Sequence, residues 1–203
     1  IERATISRGM HNDIEAISED WLGEMVSHAV RPEIGCVGSK LLYPDNHIQH
    51  AGVVLGIGGI AGHGQKHFPS WNDGYKHRLK IVQNYEVVTA ACMLVEKKIF
   101  QKVGGFDEEN LKIAYNDVDL CIKVREEGYL NLWTPYALLM HHESASRGFD
   151  KDPVGKARFA KEKEYMKKRW GHKLISDPSY NPNLSLKHED FSLNYRPYKN
   201  LEY

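Results

Sequence analysis

Tyr85 to Val95 reads YEVVTAACMLV, an almost unbroken apolar and β-branched run in a chain of which 27% is charged. A run of this kind suits a central strand covered on both faces, because a half-exposed strand would alternate apolar with polar residues. Covering both faces requires helices on each side of the sheet, so the chain is expected to be α/β. The 203 residues suffice for one domain with a full core, or for a core with an appendage.

The remaining segments supply the other layers. Residues 1–13 read as a strand leading into a polar turn. Ser18-Glu19-Asp20 offers a capping hydroxyl followed by acids at the positive end of a helix dipole. Trp21, Leu22, Met25, Val26 and Ala29 follow at helical spacing, and Arg31-Pro32 stops the helix. Ile34–Tyr43 reads as a strand, Pro44-Asp45-Asn46 as a turn, and His47–Leu55 as the returning strand of a hairpin. Lys97–Lys102 is a short helix ended by Gly104-Gly105. Asp117–Glu127 is a helix closed by Gly128. Two short strands, Leu130–Trp133 and Ala137–Met140, flank Thr134-Pro135. Pro153–Trp170 is a basic helix with Phe159, Tyr165, Met166 and Trp170 as its apolar content, and the tail after Gly171 is an irregular strap or partly disordered. Mixed strands interleaved with helices imply a sheet that is not purely parallel.

Composition excludes some functions. Lys+Arg and Asp+Glu both count 27, which argues against nucleic acid as the main partner. The sequence holds no apolar run of the roughly 18 residues needed to span a bilayer. Ile1–Met10 carries two Arg and no apolar core, so no secretory leader is read there and a cytoplasmic location is expected. Cys36, Cys92 and Cys121 are far apart in apolar contexts, as buried reduced thiols would be. The glycines of Gly56–Trp71 resemble a phosphate cradle but lack the strand, helix and Lys-Ser/Thr of a P-loop. The segment is either a lid or an irregular surface loop.

Chemistry concentrates in Ile113–Gly148. Asp117 and Asp119 open a helix, and His141-His142 end a strand beside Glu143 and Arg147. Together they offer a candidate general base, candidate metal ligands and a basic group suited to phosphate. Asp119 lies about 200° round the helix from Asp117, so it is expected to be structural. Either Asn116 or Asp117 can cap the helix; if Asn116 does, Asp117 is free to face a cleft. His141 and His142 must face opposite sides of their strand, so one of them enters a site. The pair lacks the i, i+4 spacing and Cys partners of common zinc sites.

Six blocks in order resemble the C-terminal half of family 2 inverting glycosyltransferases of the GT-A fold, with rhamnosyltransferase-like members nearest. They are HNDIEAISEDWL (His11–Leu22), IGCVGSKLLYPDN (Ile34–Asn46), VTAACMLV (Val88–Val95), VGGFDE (Val103–Glu108), NDVDLCIKVREEGY and TPYALLMHHESASRG. The resemblance implies a partial GT-A domain over 1–150, with a basic helix and irregular tail over 151–203. The family's nucleotide-binding strand-helix-strand half would lie ahead of this segment. A fragment of this kind would expose sheet edge, which a homodimer could cover.

By family position, Asp117 is implied as the catalytic base, and Asp13 with His141 (rather than His142) as ligands of a divalent cation, Mn²⁺ or Mg²⁺. His11 stands where the family has Asp or Asn; imidazole accepts Mn²⁺ more readily than Mg²⁺. Asn12 and Arg147 would meet the donor's diphosphate, and Thr89 and Ala91, with Ala90, would line the acceptor side. Trp71 is the candidate for stacking on a sugar, whereas Trp21, Trp133 and Trp170 read as core. The implied activity is transfer of a sugar, with inversion, from a nucleotide-sugar donor to a saccharide or polyprenyl-linked acceptor in surface polysaccharide synthesis. The basic run Lys151–Arg169 would then meet an anionic membrane surface, or serve only as a solvated helix face. Two other readings remain: a non-catalytic carbohydrate-binding or assembly module, and a metal-dependent hydrolase using the same Asp and His groups.

Overall fold

The computed structural model describes the backbone of residues 6–10 and all of residues 13–142 and 152–194. Within these, nine strands and four α-helices occur: β1 (Ile6–Met10), β2 (Ile14–Ala16), α1 (Trp21–Ala29), β3 (Ile34–Leu42), β4 (Ile48–His50), β5 (Val53–Leu55), β6 (Ala61–His63), β7 (Gln83–Tyr85), β8 (Cys92–Glu96), α2 (Lys97–Lys102), α3 (Asn116–Glu126), β9 (Leu130–His141) and α4 (Pro153–Trp170). The fold is α/β. A seven-stranded mixed sheet runs β1-β8-β3-β9-β2, with β4 beside β3 and β7 beside β9. Only β3 and β9 pair in parallel; the other strands of this sheet join antiparallel. This mixed sheet flanked by helices is the architecture expected of a partial GT-A domain.

Two cores lie on opposite sides of the sheet, and β8 shows why. Cys92 and Leu94 point into a core with Met25 and Ala29 of α1, while Met93 and Val95 point into the other with Val118, Cys121 and Ile122 of α3. An apolar run without polar interruption therefore satisfies both layers. Each such side chain contributes about 1.5–3 kcal/mol by leaving water. All three cysteines are buried thiols.

The expected central strand over Tyr85–Val95 is broken. β7 pairs with β9 and β8 pairs with β3, and residues 86–91 cross between them. Gly38 on β3 permits the crossing, since a Cβ there would meet Val88 at 2.5 Å. Buried Asn131 on β9 pins the link: its Nδ2 donates to Glu86 O (2.8 Å) and Cys121 O (3.1 Å), and its Oδ1 accepts from Cys36 N (3.2 Å). One amide thus ties three buried backbone groups, one each on the crossing, α3 and β3, to β9.

Other expectations need correction. The returning strand His47–Leu55 splits at Gly52 (φ +88°): β4 stays on β3, and β5 leaves to pair with β6 in a separate hairpin. The Gly56–Trp71 loop therefore contains strand β6. The two short strands around Pro135 form one strand, β9, whose register against β3 slips between Gly38↔Trp133 and Lys40↔Leu138. Pro135 lies in that slip, where its missing N–H costs no ladder bond. Ser18 does not cap α1. Its Oγ accepts from Leu138 N (2.9 Å), tying the helix entry to β9, and Asp20 is the N-cap.

Asp152 caps α4 by accepting from Val154 N (2.8 Å) and Gly155 N (2.9 Å). The described part of the strap after it packs on the body of the fold. Asp177 accepts from Leu55 N (2.8 Å), and Tyr180, Leu184 and Phe191 are buried.

Candidate functional site

Asp117 sits in the first turn of α3, whose entry is held in an unusual conformation. The residue before the helix, Tyr115, has φ +64° and offers no side-chain cap, so neither Asn116 nor Asp117 is the N-cap. A non-glycine residue in this region is strained and persists only when its surroundings over-determine it. The constraint comes from α4. Glu162, 3% exposed, accepts from Ile113 N (3.2 Å) and Ala114 N (3.0 Å). Phe159 lies against the Tyr115 ring with centroids 5.5 Å apart. Phe159, Glu162 and Met166 recur at helical spacing, so Glu162 occupies the packed face of an otherwise basic helix.

The Asp117 carboxylate accepts from Ala90 N at Oδ2 (3.2 Å) and Val118 N at Oδ1 (2.9 Å). Burial pushes its pKa above the ordinary carboxylate value, opposed by donation from the Ala90 amide, Thr89 and the Val118 amide. Asp119 points away. It is fully buried, accepts from Trp170 Nε1 (2.8 Å), and lies 2.9 Å from Lys123 Nζ and 3.2 Å from Arg169 Nε. As expected, it is a structural acid.

Asp117, Thr89, Ala90, Ala91 and His141 line one cavity of about 530 Å³, closed by β6, by Tyr43 and Gln49 near β4, and by Phe159. The two histidines do face opposite sides of β9. His141 is buried with Nδ1 2.7 Å from Gln49 Oε1 and Nε2 3.3 Å from Asp13 Oδ1. His142 is exposed and meets Glu15 Oε2 at 3.1 Å. With Nδ1–H donating to Gln49 Oε1, His141 Nε2 faces the Asp13 carboxylate, and these are two donors of the kind that could hold a cation. An oxygen and an imidazole nitrogen fit Mn²⁺ better than Mg²⁺. Among the described residues no three His, Cys, Asp or Glu side chains converge on a metal position, so this part of the chain offers a pair of donors.

Trp71 is 75% exposed and does not line the cavity. Asn12 and Arg147, like His11 and Glu143, lie outside the described residues. Sequence reading passed over Gln49, His50, His63, Lys66, Tyr115 and Glu162. Gln49 and His50 gave one usable signal, adjacent polar residues inside an apolar strand pattern. His50 Nδ1 lies 3.0 Å from His63 Nδ1, and His50 Nε2 is 3.4 Å from Thr89 N. Burial drives both imidazoles toward neutrality, His50 well below its ordinary pKa and His63 to about 4.

No family model matches the chain. It is 54% identical over 191 residues to the uncharacterized protein y4gI of Sinorhizobium fredii, covering 94% of this chain and 21% of that one. It is 37% identical over 192 residues to the O-antigen biosynthesis protein RfbC of Myxococcus xanthus, covering 93% of this chain and 14% of that one. A 63-residue stretch is 36% identical to the N-acetylglucosaminyl-diphospho-decaprenol L-rhamnosyltransferase of Mycobacterium tuberculosis, covering 31% of this chain and 20% of that one. The chain thus spans about a fifth or less of the length of the relatives it matches.

Proposed function

We propose that this chain carries the catalytic and acceptor-side portion of a family 2, inverting glycosyltransferase acting in surface polysaccharide synthesis. The observation that carries the reading is that Asp117 and His141, 24 residues apart in sequence, line one cavity with the small residues Ala90 and Ala91. The name of the Mycobacterium relative, a rhamnosyltransferase, supports the reaction class, and that of the Myxococcus relative, an O-antigen biosynthesis protein, supports the setting.

In this reading Asp117 takes the proton from an acceptor hydroxyl as that oxygen attacks the anomeric carbon, and the nucleotide diphosphate leaves from the opposite face. The Ala90 and Val118 amides aim the carboxylate, and burial raises its basicity. Thr89, Ala90 and Ala91 allow the acceptor to approach closely. A divalent cation held by Asp13 and His141 would neutralise charge growing on the diphosphate. Asn12 and Arg147 would meet that diphosphate, and Trp71 would reach only an extended acceptor. A polyprenyl-linked acceptor would bring the basic face of α4 to an anionic cytoplasmic membrane surface. No helix among the described residues is long and apolar enough to cross a membrane.

Calorimetric titration with UDP and dTDP, with and without Mn²⁺, tests the reading. Metal-dependent binding lost in Asp13→Ala supports it; metal-independent binding that survives this substitution counts against the cation site. An enzyme that consumes donor at the same rate with and without acceptor would instead be a hydrolase.

A further inference from the structure

His63 stands in the cavity wall hydrogen-bonded to His50, neither has a part in the mechanism above, and their geometry fixes where their protons lie. The Thr89 backbone N–H can only donate, so His50 Nε2, 3.4 Å away, is the unprotonated nitrogen. The proton of neutral His50 is then on Nδ1, which faces His63 Nδ1 at 3.0 Å. Only one proton fits between these two nitrogens, so His63 Nδ1 accepts. Neutral His63 must therefore carry its own proton on Nε2, on the far side of the ring. The rings meet at 87°, with centroids 5.1 Å apart. His63 belongs to the cavity lining, as do Asp117 and His141.

We propose that His63 is a saccharide-positioning residue: the order Thr89 N–H to His50 to His63 locks its Nε2 as an N–H donor that holds an uncharged oxygen, hydroxyl or amide carbonyl, of the sugar bound opposite Asp117. An uncharged donor lacks the charge attraction that a phosphate draws from cations such as the neighbouring Lys66. A locked donor costs no tautomer rearrangement on binding, and a hydroxyl placed against it is oriented before Asp117 acts. The cavity also presents the aromatic rings of Tyr43, Tyr115 and Phe159, which suit the apolar faces of a pyranose. The sugar half of this inference rests on the function proposed above; the tautomer half does not.

Long-range ¹H–¹⁵N correlation spectra of the imidazoles at pH 7, on the whole chain, read the tautomers directly and need no substitution. His63 is expected as the Nε2–H form and His50 as the Nδ1–H form. His50→Leu should release His63 into a tautomer mixture. His63 found as Nδ1–H, or as imidazolium, overturns the proposal. In a titration with N-acetylglucosamine, the His63 Nε2 resonance should move. His63→Leu should bind the sugar three- to tenfold more weakly, and His63→Gln, which keeps an N–H donor, within about twofold of the parent. Equal binding by the parent and His63→Leu overturns the positioning role. Binding of inorganic phosphate at His63 in preference to the sugar overturns the uncharged-oxygen assignment. Absence of sugar binding by the parent overturns the saccharide assignment and the functional reading beneath it, while the spectra still decide the tautomer order.

Discussion

The backbone N–H of Ala90 lies 3.2 Å from Oδ2 of Asp117, so the residues that interrupt the central apolar run are the ones that hold the carboxylate. Had Tyr85–Val95 been one unbroken strand, this amide would have been spent on a neighbouring strand.

This contact and the burial around it set a pH dependence. In the proposed reaction a raised Asp117 pKa would leave the base protonated and idle below that value, so sugar transfer should grow as pH rises through it. The acid limb of kcat/KM should lie above the ordinary 3.8 of an aspartate. Asp117→Asn should lower transfer at least about 100-fold while leaving nucleotide binding within a few-fold. Loss of nucleotide binding in that variant would remove Asp117 from the base role.

Glu162→Ala leaves the Ile113 and Ala114 amides buried without their acceptor. Each buried group so orphaned costs about 1–3 kcal/mol, so urea melts should show a loss of roughly 2–6 kcal/mol. Transfer should fall as well, since Tyr115 and Asp117 lose their anchor. A melt unchanged by Glu162→Ala would contradict the clamp.

Asp177 is 6% exposed, and burial lifts its pKa from 3.8 to about 6. A carboxyl whose folded pKa is raised favours folding below its unfolded pKa, and the benefit is lost as pH rises through the folded value. At about 1.4 kcal/mol per unit, roughly 3 kcal/mol should disappear between pH 4 and 6. Asp177→Asn should flatten the dependence of the urea midpoint on pH across that window; an unchanged slope would assign it to other groups.

Cys36, Cys92 and Cys121 are buried, and burial, followed by the nearby Cys36 thiol, holds the Cys121 pKa well above its ordinary value. A thiol-reactive chromophore at pH 8 should label none of the three in the native chain and all three in urea. Rapid native labelling of any one would mean its cover opens easily.

Elements with local punctuation were legible in the sequence. The bounds of α2 and α4 match the expected ones residue for residue, and α3 is displaced by one. Their limits are written in glycine, proline and capping side chains, which act within a few residues. The breaks at Gly52 and across residues 86–91 were not legible, because β-propensity is high on either side and the break is set by partners far along the chain. The Tyr115 conformation depends on Glu162, 47 positions later, and the proton order of His50 depends on the Thr89 backbone. Asp117, Thr89, Ala91 and His141 could be nominated from motif order and do share a wall. Trp71 was nominated on chemistry alone and lies outside the cavity, while Glu162 was passed over.

The reach of Glu162 bears on how the gene for such a segment can be cut. A division between residues 150 and 151 would leave every cavity-wall residue except Phe159 on one piece, yet strip away the helix that holds the turn before Asp117. A recombinant version trimmed there would be expected to reach the soluble fraction poorly or work poorly. Shuffling this segment between longer proteins should succeed only when the splice falls beyond Trp170 and, because Asp177 holds β5, beyond the strap as well.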